Sequence, residues 1–113
     1  MIRELEKIFK AFGDKNRLRI VNMLRDKPLC VCEITDILNL SQSAVSGHLR
    51  VLREAGVVED NKDGLWVEYT LCRDGGITKD LLRLIEKTVA HDPAMEGERK
   101  RARQADRQFL CKK

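Results

Sequence analysis

The stretch Leu29 to Val58, LCVCEITDILNLSQSAVSGHLRVLREAGVV, decides how the chain reads. Ile34, Ile37 and Leu38 fall on one face of a short helix from about Glu33 to Leu38. Asn39-Leu40 turns the chain. Ser41 can then cap a longer helix, from about Gln42 to Glu54, its hydroxyl accepting a bond from a free amide one turn in. Val45, Leu49 and Leu52 give that helix a buried row at i, i+4, i+7. Gly56 suits the left-handed residue that ends it. Ahead of the short helix stand Cys30-Val31-Cys32.

Working outward, Val57 to Asn61 and Leu65 to Leu71 read as two strands. Asn61-Lys62-Asp63-Gly64 is the hairpin turn between them, since Asp-Gly tolerates positive φ. Leu65, Val67, Tyr69 and Leu71 alternate with Trp66, Glu68 and Thr70, giving one apolar face and one mixed face. Toward the N-terminus, Ile2, Leu5, Ile8/Phe9 and Phe12 mark a first helix, closed by Gly13-Asp14. Asp14 can cap a second, with Leu18, Ile20, Val21, Met23 and Leu24 as a broad apolar face. Pro28 stops it, because proline disfavours helix at the residue before it. Beyond the strands, Ile77, Leu81, Leu84/Ile85 and Thr88/Val89 stripe a fifth helix. After Pro93 almost nothing is apolar until Phe109-Leu110. That segment reads as a solvated helix or a disordered tail, with disorder expected near its end.

This order of elements is mainly α with a β-hairpin wing, a winged helix-turn-helix. Residues 1–92 are expected to form a DNA-binding and dimerisation domain, and residues 93–113 a basic tail carrying Cys111; spacing alone is equally consistent with a merely solvated helix face and a turn. A helix with a capped, polar N-terminus can enter the major groove. Gln42 and Ser43 can bond base edges or phosphates, with Ser41 and Ser46 beside them. Arg50 and Arg53 suit the phosphate backbone, and Lys62 sits at the hairpin tip where a wing meets the adjacent groove.

Composition bounds the rest. The chain has 113 residues, enough for one domain, with 42% hydrophobic and 35% charged residues. No apolar run approaches the eighteen or so residues of a membrane helix, and the N-terminus lacks a signal peptide's apolar centre. A cytoplasmic location with no membrane partner is expected. The net charge of +4 permits a polyanionic partner without demanding one. From His91 on, seven Lys/Arg face four acids, so most of the excess is in the tail. No nucleophile-base-orienter set, phosphate loop or paired carboxylates stand out, which argues against an enzyme.

Cys30, Cys32, Cys72 and Cys111 are better read as thiolate chemistry than as disulfides in a cytosolic chain. Cys30 and Cys32 are two apart. In a regular helix that spacing turns side chains about 200° away from each other, so the two cannot share one ion from a helix face. They are expected to surround the helix start, Cys32 as the cap and Cys30 in extended chain before it. The helix dipole would there lower a thiol pKa and make a soft-ion site. Two inert buried cysteines are the plainer alternative.

LSQSAVSGHLRVLREAGVV followed by DGLWVEYTL, with FGDKNRLRIVNML before it, resembles the ArsR/SmtB family of bacterial metal-responsive repressors. The likeness runs over about Leu5 to Val89, and the run from Ser46 to Gly56 is its most specific part. The resemblance implies a symmetric homodimer through the first and last core helices, with the fourth helix reading inverted-repeat operator DNA. His48 matches the family's histidine in that helix and stands with its DNA-binding residues. It is expected to pack or hydrogen-bond locally rather than hold a metal. Gly47 departs from the basic residue often found before that histidine. It weakens the helix by roughly 1 kcal/mol relative to alanine and removes a phosphate contact.

LCVCEI resembles the family's sensing motif for As(III)/Sb(III) and Cd(II)/Pb(II), ending in an acidic residue where Glu33 stands. It implies an As(III) or Sb(III) inducer, with Cd(II) or Pb(II) as alternatives and no metal needed for folding. Arsenic repressors place a third cysteine three residues after the second; here that position is Thr35. Either two thiols act with another ligand or the third is remote, Cys111 before Cys72. Only Asp80, Glu86 and His91 lie on the last core helix, so the family's zinc pattern is absent. A thiol redox switch at Cys30 and Cys32 is the rival reading.

Overall fold

A computed structural model describes residues 1–111. The elements run α1 (Ile2–Phe12), α2 (Lys15–Met23), β1 (Leu29–Cys30), α3 (Val31–Leu38), α4 (Gln42–Glu54), β2 (Val58–Asp63), β3 (Trp66–Leu71), α5 (Gly76–Val89), α6 (Pro93–Gln104) and α7 (Arg107–Leu110). Local chemistry sets most boundaries. Asp14 caps α2, its carboxylate accepting from the amides of Asn16 at 2.9 Å and Arg17 at 3.1 Å. Ser41 caps α4, accepting from the Ala44 amide at 3.1 Å. Asn39 adopts left-handed geometry after α3 and Gly56 (φ +77°) after α4.

The core is apolar and continuous. Ile34, Val45, Leu49 and Leu52 are fully buried, together with Ile20, Val21 and Met23 of α2. The chain is thus a winged helix-turn-helix, mostly helical with a small antiparallel sheet, as the order of elements implied.

The wing differs from expectation in three ways. Strand β2 runs on to Asp63, and the turn is the two residues Gly64-Leu65, with Gly64 at φ +61°. Lys62 therefore lies on a strand rung opposite Val67 rather than at the tip. A third strand joins the hairpin: β1 pairs with β3, setting Leu29 opposite Tyr69 and Cys30 opposite Glu68. The apolar face of β3 is packed only at its root, at Tyr69 and Leu71, while Leu65 and Val67 are exposed.

Helix α5 shows a different face from the stripe read in sequence. Leu82 is its one buried residue, Leu81 and Ile85 lean on the core, and Ile77 and Leu84 are exposed. Ile2 and Phe9 of α1 are exposed as well. Met1, Ile2, Leu5 and Ile77 share one open groove, which leaves an unpartnered apolar surface on α1 and α5.

The segment after Pro93 is the largest correction. It forms α6 and the short α7, both docked; Lys112 and Lys113 lie outside the described residues. Asp92 caps α6 and Pro93 opens it. Attachment runs through charge. Arg19 grips Glu98 at 2.6–3.2 Å, and Asp26 accepts from Arg99 at 2.8 and 2.9 Å and from Arg103 at 3.2 Å. The buried Asn22 donates to the Met95 carbonyl at 2.7 Å. Ala102 alone enters the core from this helix. Hydrophobic periodicity is blind to such an interface, because its partners are polar on both sides.

Candidate functional site

Three sulfurs converge where β1 passes into α3. Cys30 is the N-cap of α3, in extended conformation (φ −95°, ψ 167°) and held on β3 by the sheet. Cys32 lies in the helix's first turn. The cap is thus Cys30 rather than the expected Cys32, two residues earlier. The extended backbone at Cys30 escapes the 200° rule, and its Sγ comes within 3.3 Å of the Cys32 Sγ. Cys111 follows α7 and reaches within 3.5 Å of the Cys30 Sγ. Cys32 and Cys111 are joined as a disulfide, with their Cα atoms 5.6 Å apart. All three ligand atoms lie within 4.8 Å of one another. The Cys30 sulfur stands from the other two at nearly the spacing one ion requires, since metal–sulfur bonds of about 2.3 Å at tetrahedral angles separate sulfurs by roughly 3.7 Å, and reduction of the disulfide would free all three as soft donors. Cys72 ends the wing strand, outside this cluster.

The thiol at Cys30 is not ionised as the helix dipole suggested. Burial pushes it up to about 11, and a hydrogen bond to the Glu33 carboxylate adds to the rise. Here desolvation outweighs the dipole. Glu33 itself is 1% exposed. Its Oε1 accepts from the Cys30 backbone amide at 2.9 Å and from the Cys30 Sγ at 3.1 Å. Glu33 therefore completes the helix start and holds the Cys30 proton in place.

Arg107 is the residue that sequence reading missed. Its Nη2 stands 3.4 Å from Glu33 Oε1, and its Nη1 donates to Asp63 and Glu68 at 3.0 Å each. The guanidinium lies 6.0 Å above the ring centroid of Trp66, the only tryptophan. A faint signal was available: Asp106 is a good cap, and Arg107 and Cys111 are four apart, one face of a helical turn. The thiols open into a cleft shared with Gln42, Leu65, Trp66 and Leu110, so the sulfur site adjoins the first residue of α4.

The polar face of α4 is the second candidate surface. Gln42, Ser43, Ser46 and Arg50 are exposed, and Ser43, Ser46, Arg50, Arg53 and Tyr69 line a groove between α4 and the wing. Arg50 makes no ion pair among the described residues, whereas Arg53 is paired with Asp60 at 3.2 Å. A Cβ at Gly47 would meet nothing within 4 Å. His48 is turned the other way. Its Nδ1 is 3.3 Å from Arg17 Nη1 and 4.0 Å from Asp14, so it braces α4 against α2 instead of facing the groove with Ser43 and Ser46.

Comparison with known proteins agrees with this geometry. Residues 14–60 match the family described as bacterial regulatory protein, arsR family. An uncharacterized HTH-type transcriptional regulator of Methanocaldococcus jannaschii is 40% identical over 81 residues, covering 71% of this chain and 89% of that protein. The arsenical resistance operon repressor of Escherichia coli is 45% identical over 65 residues, covering 57% of this chain and 56% of the repressor. Among solved structures, HlyU from Vibrio cholerae superposes with a TM-score of 0.69 at 35% identity, over 79% of this chain and 95% of that one. Cys30 and Cys32 fall inside the matched residues 14–60 and Cys111 outside them.

Proposed function

The chain belongs to the arsR family of bacterial regulatory proteins, DNA-binding transcriptional regulators rather than enzymes, and on that premise we propose that it is a dimeric repressor released from operator DNA by As(III) or Sb(III). One observation carries the reading: three cysteine sulfurs converge at the start of the helix that packs on α4. A trivalent metalloid hydroxide takes three thiols and loses three waters. The Cys32–Cys111 disulfide must first be reduced, which the thiol pool of a cytoplasm supplies.

Gln42, Ser43, Ser46 and Arg50 would meet the groove and its phosphates, with Ser41 fixing the helix start and Lys62 on the wing. A second copy is needed because one short helix reads too few bases. The apolar surface of α1 and α5, with Ile2, Phe9, Ile77 and Leu84 exposed, is where it would pack. No helix among the described residues is long and apolar enough to cross a membrane.

The test is arsenite titration of reduced protein on its own promoter DNA. Cys30→Ser, Cys32→Ser and Cys111→Ser should each weaken arsenite binding at least tenfold, and Cys72→Ser should not. Release that survives in the Cys30→Ser/Cys32→Ser double variant sinks the proposal. Proton balance separates the candidate ions. Arsenite binding by protonated thiols releases water and no net protons, so its affinity should stay flat from about pH 6 to 8. Cd(II) must displace thiol protons, one of them from Cys30 at about 11. Its affinity should therefore climb steeply with pH.

The disulfide within the same cluster favours one second reading, a peroxide sensor. Two thiols and one hydrogen peroxide would give the disulfide and two waters. Operator release by peroxide in metalloid-free buffer, with a mass loss of two hydrogens, would select it.

A further inference from the structure

We infer that Arg107 is the positioning residue that couples the thiol site to the wing, so that fixing Cys111 also fixes how the wing stands against α4. The inference rests on the proposed release of DNA at the three-thiol site.

Arg107 touches both halves of that site. It reaches Cys30 through Glu33, whose carboxylate it meets at 3.4 Å. It is joined to Cys111 by one helical turn, the Cys111 amide donating to the Arg107 carbonyl at 2.8 Å. Its other end is on the wing: Asp63 at the end of β2 and Glu68 on β3, both at 3.0 Å. Its Nη2 also donates to the Pro28 carbonyl at 3.4 Å, beside β1. The side chain is only 15% exposed. A planar guanidinium with several fixed donors can make such a bridge, whereas a point charge cannot.

The moving part is α7. Four residues are too few to be a stable helix alone, so its docking depends on its side chains. Phe109 is 77% exposed and contributes little. The anchors of α7 are therefore Arg107 at its start and Cys111 at its end, with the half-buried Leu110 against α3 between them. With Cys111 bound to the other sulfurs, both ends are fixed and Leu110 and Cys111 stay in the cleft beside Gln42 and Leu65. With Cys111 free, α7 keeps only Arg107 and the half-buried Leu110, and its undocked state gains population. Docked and undocked α7 are the two states that the sulfurs and the wing both bias, which coupling between two sites requires.

The wing end of the bridge can be cut without touching the sulfurs. In Asp63→Asn/Glu68→Gln, arsenite affinity should remain within about twofold of the parent, read from quenching of Trp66, which lines the same cleft. The ratio of operator affinities without and with arsenite should shrink about tenfold. Using that ratio cancels any general gain in DNA affinity from removing two acids. Arg107→Gln should lower both quantities, since it cuts both ends. An unchanged ratio in either variant overturns the inference, as does loss of arsenite binding in the wing variant. Should the parent protein bind no arsenite, the metalloid reading falls by itself. The bridge is then judged from the same operator ratio between oxidised and reduced protein, where the Cys32–Cys111 disulfide does the fixing.

Discussion

The segment from Leu29 to Val58 and the segment from Asp92 to Cys111 both deliver sulfurs to one site, yet they are held in place by opposite means. The first is packed by apolar side chains: Ile34, Val45, Leu49 and Leu52 have no exposed surface. The second lies on α2 through Arg19–Glu98, Asp26–Arg99 and Asp26–Arg103, with Ala102 as its one core residue. Apolar burial is neither screened by salt nor titrated by pH, whereas ion pairs at a partly open interface are screened by one and titrated by the other. Half of the thiol site thus stands on permanent ground and half on conditional ground. Such an arrangement lets a repressor keep its fold while the site opens and closes.

The sharpest way to break this contrast is in the core. Leu52→Ala should cost about 3 kcal/mol, by lost burial and the cavity left behind. The loss should appear as global destabilisation in urea, with α6 unfolding in the same transition as α4. Glu98→Ala should act differently. It strands the guanidinium of Arg19 at an interface where both partners are mostly covered, at a cost of about 1–2 kcal/mol. That cost should fall on α6 alone. Hydrogen exchange should speed up from Pro93 to Leu110 while α4 keeps its protection. Arsenite affinity should fall with it, because Cys111 is then delivered less often. Equal loss of protection in α4 and α6 would show that the two segments are one cooperative unit.

The same contrast explains what the sequence disclosed. Ser41, the Val45-Leu49-Leu52 row and Gly56 were legible because caps, helical spacing and left-handed turns are local signals. So was the likeness of LCVCEI to a thiol sensor. The order of α6 was not, because charged residues look the same whether solvated or paired with Arg19 and Asp26 far away in the chain. Strand β1 is two residues long and exists only because Glu68 and Tyr69 lie beside it. The raised thiol at Cys30 needed burial and Glu33 to be seen together. Arg107 needed the wing, Glu33 and Trp66 in one place.

Acid should separate the two segments by titration. Hydrogen bonds from Arg99, followed by those from Arg103, hold the Asp26 carboxyl below its ordinary value despite partial burial. A depressed carboxyl contributes stability above its unfolded pKa and loses it as pH falls through the folded one. Docking of α6 should therefore weaken below about pH 4 while the core of α3 and α4 persists. Amide protection of α6 against α4, followed from pH 6 down to 3, reads this directly. Raised salt at neutral pH should act in the same direction and more weakly, since Asp26 and Arg99 are each 25% exposed.

The smallest effect sharpens the comparison from the apolar side. Gly47 lies in α4 with nothing within 4 Å of where a Cβ would stand. Gly47→Arg should add about 0.8 kcal/mol of helix propensity. Next to Ser46 and Arg50 it should also supply one phosphate contact per subunit. For a dimer the slope of log K against log salt should steepen by about two, and operator affinity at low salt should rise severalfold. Arsenite affinity should not move, because Gly47 touches neither the sulfurs nor Arg107. A parallel shift in arsenite affinity would instead mean that the face of α4 and the thiol site are already coupled without the wing, leaving Arg107 no separate part to play.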